Sequence, residues 1–320
     1  MLSLPDFREK QIIFIDAYDK KEIKFRNDNL LIQEGGQTVN QIPFANIFTI
    51  FIVGEVTLTS ILIKKAISHG VMIVLSNNNL LVYAVVGGET EGNFLLREKQ
   101  YFANDDLKKS KCVIENKIAN QIFLLQKKRK KTEDEKMAIR QCEKILQKVR
   151  ETQNAQELLG FEGNVAKIFF SSYFQPFKWF GRKPRTKFDE ANVLLDIGYT
   201  YLFNFIDANL RLYGFDTYKG FYHTFFFQRK SLVCDLVEPF RCIIDRALLK
   251  AFNLQQFDKN DFEFKKNQYH IKKGCGKKYT RVFLEAIMDQ KENIFLYIQK
   301  YYRNTMKEEN NYPVFDFKKC

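Results

Sequence analysis

The chain has 320 residues, 45% of them hydrophobic, with 32 Phe, 15 Tyr and a single Trp; at about 150 residues per domain that length points to two domains with real cores. Lys and Arg number 51 against 38 Asp and Glu, a net charge of +13, which favours a polyanion such as DNA, RNA or an acidic membrane surface as partner. No apolar run approaches the ~20 residues that span a bilayer, residues 1–10 are too polar for a signal peptide, and the six cysteines form no C-x-x-C pair, which excludes a zinc centre of that type and a disulfide framework.

The expectation is therefore a soluble protein of a reducing cytoplasm, with no membrane role. Along the chain, short strands are predicted at 12–15, 22–25 and 30–32, with a turn at 34–37. The continuous apolar run 47–53, ending at Gly54, predicts a buried strand. Residues 57–68 carry Leu58, Ile61, Leu62 and Ile67 at helical spacing, and His69-Gly70 reads as the stop. Two further strands, 71–75 and 80–86, flank Asn77-Asn78-Asn79. Gly87-Gly88-Glu89-Thr90-Glu91-Gly92 breaks the pattern and reads as a linker, because it lacks the Lys-Ser/Thr of a phosphate-binding loop.

The chain beyond is largely helical, with helices predicted at 93–104, 107–128, 133–158, 162–173, 189–212, 231–252 and 276–306, and a β-hairpin within 261–273. The basic run Lys127-Lys128-Arg129-Lys130-Lys131 is a solvated turn between two of them. The fold class expected is α+β. Residues 1–88 form a small β-sheet domain with one helix, and 93–320 a larger, mostly α-helical catalytic domain.

Three acids and a histidine stand out. Glu162 is placed near the start of a helix, His223 lies in the loop before another, and Asp235 and Glu238 are three apart on that second helix, so both project from one face. Carboxylates suit Mg²⁺ or Mn²⁺, and one imidazole shifts tolerance towards Mn²⁺. Three ligands would leave positions for water and a phosphate oxygen. Structural roles compete with this. Glu162 could be a first-turn residue favoured by the helix dipole, Asp235 could pair with Arg229, Glu238 with Arg241, and His223 could be a packing residue.

Four motifs occur in one order: Gly160-Phe161-Glu162-Gly163, then Asn192 to Thr200, then the His223 segment, then Asp235-Leu236-Val237-Glu238-Pro239-Phe240-Arg241. Together they resemble the CRISPR-associated integrase family, the nuclease-like subunit that inserts spacers into CRISPR arrays. Ile42-Pro43, Gly54, residues 57–60 and 70–75 are similar to that family's β domain, and Lys117-Ile118-Ala119-Asn120-Gln121 to a helix early in its second domain.

The resemblance implies that Glu162, His223 and Glu238 are the catalytic metal ligands. It leaves Asp235 as a further ligand, as a residue that orients His223, or as a helix-structuring acid. It implies Mg²⁺ or Mn²⁺ as cofactor, and attack by a 3′-hydroxyl on a phosphodiester at the repeat boundary. The implied partners are a spacer-precursor duplex, the CRISPR repeat, and a small ferredoxin-like CRISPR-associated subunit. The implied assembly is a homodimer, formed through the β domain, within a larger heterocomplex.

Two basic clusters are candidates for DNA phosphates: Arg182, Lys183, Arg185 and Lys187, and then Lys272, Lys273, Lys277, Lys278 and Arg281. Arg241 is the candidate for a phosphate beside the metal. Tyr173, Trp179 and Tyr222 are either core residues or platforms for unpaired bases. A general metal-dependent nuclease and a non-catalytic DNA-binding subunit are the competing functions.

Overall fold

The structure is a computed structural model that describes residues 3–17, 21–77, 82–87, 93–128, 130–177, 179, 181–223, 226–307 and 311–319. The chain divides into two compact units, Met1–Asn93 with Arg211–Gly214, and Phe94–Leu210 with Phe215–Cys320. Of the expected linker only Gly87 is among the described residues; residues 88–92 lie outside them, as do Asn78, Asn79, Leu80, Leu81 and Arg129.

The first unit opens with α1 (Leu4–Arg8), started by a capping box in which Ser3 and Asp6 serve each other's backbone N–H. Then follow β1 (Gln11–Asp16), β2 (Glu22–Arg26), β3 (Asn29–Glu34), β4 (Gln37–Pro43), β5 (Ile47–Val53), α2 (Ser60–Ser68), β6 (Met72–Ser76) and β7 (Val82–Val86). One sheet runs β1-β5-β6-β7, with β1, β5 and β6 parallel and β7 antiparallel to β6. β2, β3 and β4 form a second, antiparallel sheet.

All seven residues of β5 are buried, as expected of a continuous apolar strand inside a parallel sheet. α2 provides the crossover that parallel neighbours β5 and β6 require. It begins at Ser60 rather than 57, because Thr59 caps it by accepting from the Leu62 N–H at 3.2 Å. β4 was not expected. Six of its seven residues are exposed, so it carries no apolar alternation to read. Gly35 and Gly36, both left-handed (φ +59° and +82°), make the tight turn into it.

The second unit holds α3 (Phe94–Tyr101), α4 (Asp106–Gln126), α5 (Glu133–Glu151), α6 (Ala155–Tyr173), α7 (Glu190–Tyr213), α8 (Ser231–Val237), α9 (Arg241–Asn253), β8 (Phe262–Lys265), β9 (Gln268–Ile271), α10 (Gly276–Asp289) and α11 (Lys291–Lys307). The β-sheet region followed by a mostly helical domain is the expected α+β fold. Three helix boundaries differ from expectation. The break predicted between 158 and 162 falls at 152–154, where Asn154 caps α6 by accepting from the Gln156 and Glu157 N–H groups. The helix predicted at 231–252 is interrupted by a 3₁₀ turn, Glu238–Phe240, because Pro239 has no N–H to continue the α ladder. The last long helix breaks at Gln290, between α10 and α11.

α4 is the element on which the second unit is built. Val113, Ile114, Ile118 and Leu125 are buried on it, and so are Asn116, Lys117, Asn120 and Gln121. The two asparagines are bonded through both their amide nitrogen and their carbonyl oxygen. Asn116 donates to the Phe315 carbonyl and accepts from its N–H, both at 2.8 Å. Asn120 donates to the carbonyls of Pro239 and Phe315, each at 3.0 Å, and accepts from the Phe317 N–H. These bonds fix the Pro239 turn against α4 and thereby set where Glu238 lies. No helix among the described residues is long and apolar enough to cross a membrane. The five described cysteines are all free thiols.

Candidate active site

Lys117 projects from α4 between two carboxylates. Its ammonium bonds Glu162 on α6 and lies 2.7 Å from Glu238 in the Pro239 turn. Glu238 also accepts from Arg241 Nε at 2.9 Å. Burial alone would raise the Glu238 pKa, but Arg241 and Lys117 overcome it and hold the carboxyl at about 2. Burial likewise opposes the charge on Lys117, and the two glutamates outweigh it, lifting its pKa above the ordinary lysine value. The other oxygen of Glu162 accepts from the Tyr222 hydroxyl. Burial and then the Glu162 charge push that phenol well above its usual range.

Tyr222 leads directly to His223. The loop carrying both is wrapped around Asp235 of α8, a fully buried acid. Asp235 accepts from the backbone N–H groups of Phe221, Tyr222 and His223 at 2.7, 3.1 and 2.9 Å, and pairs with His223 Nδ1 at 2.7 Å. Gly220 lets the loop come this close: a Cβ there would lie 2.5 Å from Asp235 Oδ2 and 2.7 Å from the Ser231 backbone. With Nδ1 held by a carboxylate, Nε2 is the ring atom left to bind a ligand, the arrangement common to metal-binding histidines.

The expected residues are therefore brought together in part. Glu162 and Glu238 meet at one ammonium, and His223 is the neighbour of the tyrosine that touches Glu162. They do not form one closed ligand shell: among the described residues no three His, Cys, Asp or Glu side chains are grouped so as to hold a metal ion. Glu162 is not a first-turn residue but stands about two turns into α6. Asp235 and Glu238 do not act as one acidic face. Asp235 serves His223 and its loop rather than Arg229, whereas Glu238 serves Lys117 and Arg241. The helix break at Pro239 separates the two acids. The donor chemistry fits a hard divalent cation. Two carboxylates already present oxygens to a shared positive charge, and an imidazole held at Nδ1 follows in the chain the tyrosine that bonds Glu162.

The motif 117–121 gave no role to Lys117, and the contact of Tyr222 with Glu162 was not expected. A further buried cluster lies behind Arg241. Its guanidinium is 4.6 Å from the Tyr199 ring centroid, and that of Arg182 is 5.4 Å from it. The Tyr199 hydroxyl donates to Asp245 at 2.5 Å. Burial pushes the Asp245 carboxyl up to about 7, against the pull of Tyr199 and the two guanidiniums.

Of the expected DNA-contacting residues, Arg241 and Arg182 are occupied within the fold. Arg182 bonds Asp196 at 2.5 Å and Asn192 at 2.9 Å, and the other Asp196 oxygen accepts from the Arg185 N–H. The motif on α7 thus fastens the basic loop. Lys183, Arg185, Lys272 and Lys273 are exposed, and Lys187 is half-buried. The two basic segments are tied together: the Lys187 carbonyl accepts from the Tyr269 N–H in β9 at 2.9 Å. Tyr173 is core and Trp179 donates to Asp189 at 2.8 Å, so neither is an open platform for a base.

The chain is 28% identical over 312 residues, 93% of its length and 98% of the relative's, to the CRISPR-associated endonuclease Cas1 1 of Thermodesulfovibrio yellowstonii. Its fold matches a solved casposase bound to integration product with a TM-score of 0.79 at 19% identity, covering 95% of this chain and 92% of the other. It also matches a chain of a Cas6-RT-Cas1–Cas2 complex with a TM-score of 0.81 at 19% identity, covering 96% of this chain and 36% of that one. Residues 15–285 match the family described as CRISPR associated protein Cas1, and the chain belongs to that family.

Proposed function

We propose that the chain is a divalent-metal-dependent DNA integrase of CRISPR adaptation, acting by transesterification. The observation that carries this reading is the meeting of Glu162 and Glu238 at the buried Lys117 ammonium, with Glu162 also bonded by Tyr222, the chain neighbour of a histidine whose Nδ1 is held by Asp235. The casposase neighbour bound to integration product and the endonuclease relative support the reaction class. The Cas1–Cas2 neighbour supports a small CRISPR-associated partner subunit. A homodimer formed through the β-sheet unit, and action in the prokaryotic cytoplasm, belong to the same proposal.

A 3′-hydroxyl of the captured duplex attacks a phosphodiester at the repeat boundary. A new P–O3′ bond forms, the old one breaks, and the displaced strand keeps a 3′-hydroxyl. No protein nucleophile takes part. Glu162, Glu238 and His223 Nε2 would hold Mg²⁺ or Mn²⁺, which would supply polarisation of the phosphate and offset charge on the attacking and leaving oxygens. Asp235 fixes the ring angle and proton of His223. Arg241 keeps Glu238 ionised, and Tyr222 holds one oxygen of Glu162. Exposed Lys183, Arg185, Lys272 and Lys273 position the duplex through its phosphates.

The test is integration of a short 3′-hydroxyl duplex into a repeat-bearing plasmid, with the partner subunit, with Mn²⁺ or Mg²⁺ and with chelator. Integration that needs the ion and is lost in Glu162→Ala, His223→Ala and Glu238→Ala is expected. Ion-dependent cleavage without joining would make the chain a general nuclease. DNA binding with neither reaction would make it a non-catalytic subunit.

A further inference from the structure

We infer that Lys117 is a resident counter-ion which a divalent metal must displace from between Glu162 and Glu238, so that this lysine sets the metal affinity of the site. The inference rests on the metal reading above and adds an exchange to it. Lys117 and Glu238 are 9% and 3% exposed at their side chains, and Glu162 16%. The ammonium bonds an oxygen of each acid. Those are the oxygens that two ligands facing a common ion would offer it.

An ammonium and a divalent cation cannot both sit there. Like charges a few ångströms apart in a poorly solvated pocket repel far beyond thermal energy. The surroundings favour exchange over collapse. Glu162 keeps its bond to Tyr222, Glu238 keeps Arg241, and Asp235 keeps the His223 loop in place. Only Lys117 has to move, and its four-carbon stem allows that without a backbone change.

The experiment is a Mn²⁺ titration of the full chain, read by calorimetry and by the loss of free-ion EPR signal, on wild type and Lys117→Met. The variant is expected to bind Mn²⁺ about tenfold tighter or more, the effect of removing a competing charge. Mn²⁺ should also raise its melting temperature by more than it raises that of the wild type. Equal or weaker binding by folded Lys117→Met overturns the inference. Absence of Mn²⁺ binding by the wild type and the variant alike overturns the metal reading with it. Amine acetylation of the wild type, read by mass spectrometry, needs no variant. Mn²⁺ should increase labelling of Lys117, and unchanged labelling at saturating Mn²⁺ overturns the exchange.

Discussion

Asp235 and Asp245 are both fully buried, and their partners set them apart. Asp235 meets three backbone N–H groups and an imidazole. Removing it by Asp235→Ala would leave those donors unsatisfied, and about 3–5 kcal/mol of stability is expected to go, the cost of breaking a buried charged network. Urea unfolding measures it; a loss below about 1 kcal/mol would mean that the loop does not depend on this acid. Asp245 has the Tyr199 hydroxyl on one oxygen and no hydrogen-bond partner on the other among the described residues. Its pKa, raised to about 7 from 3.8, means that the folded state keeps a proton which the unfolded chain has already released. Stability contributed by that proton is full below about pH 4 and is lost as pH rises through about 7. Asp245→Asn should therefore flatten the fall in melting temperature between pH 4 and 8 and be the more stable form at pH 8; parallel wild-type and variant curves would refute the assignment. Glu238, held at about 2, works in the opposite sense. Its contribution is present above about 4.5 and is lost as pH falls through about 2. At this scale Glu162, His223 and Glu238 were legible because ordered motifs carried them. The role of Lys117 was not, since the run 117–121 was legible only as a likeness to a family helix and nothing in it marked the lysine as the partner of two acids. The signal present was a group of polar residues, 116, 117, 120 and 121, in the middle of an apolar helix.

The helices show why local patterns located elements better than their ends. The start of α6 was expected at 162, whereas the cap is Asn154. That shift moves Glu162 into the helix body, where its side chain can face α4. The run 231–252 read as one helix because its apolar spacing is continuous, yet Pro239 splits it and sends Asp235 and Glu238 to different partners. β4 escaped notice since nearly all of its side chains face solvent. Asn120 joins α4 to the Pro239 turn, so Asn120→Ala is expected to impair metal binding and integration through Glu238 while α4 itself stays folded. Mn²⁺ affinity together with far-ultraviolet circular dichroism checks this. Unchanged Mn²⁺ affinity would show that the turn is held by packing alone.

For the whole molecule, charge was legible as a total and not as a surface. The excess of basic residues pointed to a polyanion, but Arg182 and Arg241 face inward, and only the fold separates them from Lys183, Arg185, Lys272 and Lys273. Each exposed residue that contacts a phosphate should lower the slope of log affinity against log salt by about 1 when changed to Ala. Arg182→Ala should instead lower the melting temperature by releasing the loop that Asp196 and Asn192 hold. Fluorescence anisotropy of a labelled duplex over a salt series, beside thermal melts, separates the two groups. A salt slope near zero in the wild type would remove phosphate contacts from the account.

The bonds from Asn116 and Asn120 to Phe315 span 199 and 195 positions of chain. During translation, α4 leaves the ribosome long before the segment that braces it has been made. A nascent polypeptide stalled before residue 315 would therefore hold every acid and the histidine, yet lack the strap that shares Asn120 with the Pro239 turn. The brace on α4 and on the turn that carries Glu238 is therefore completed only when the last few residues of the chain have been made.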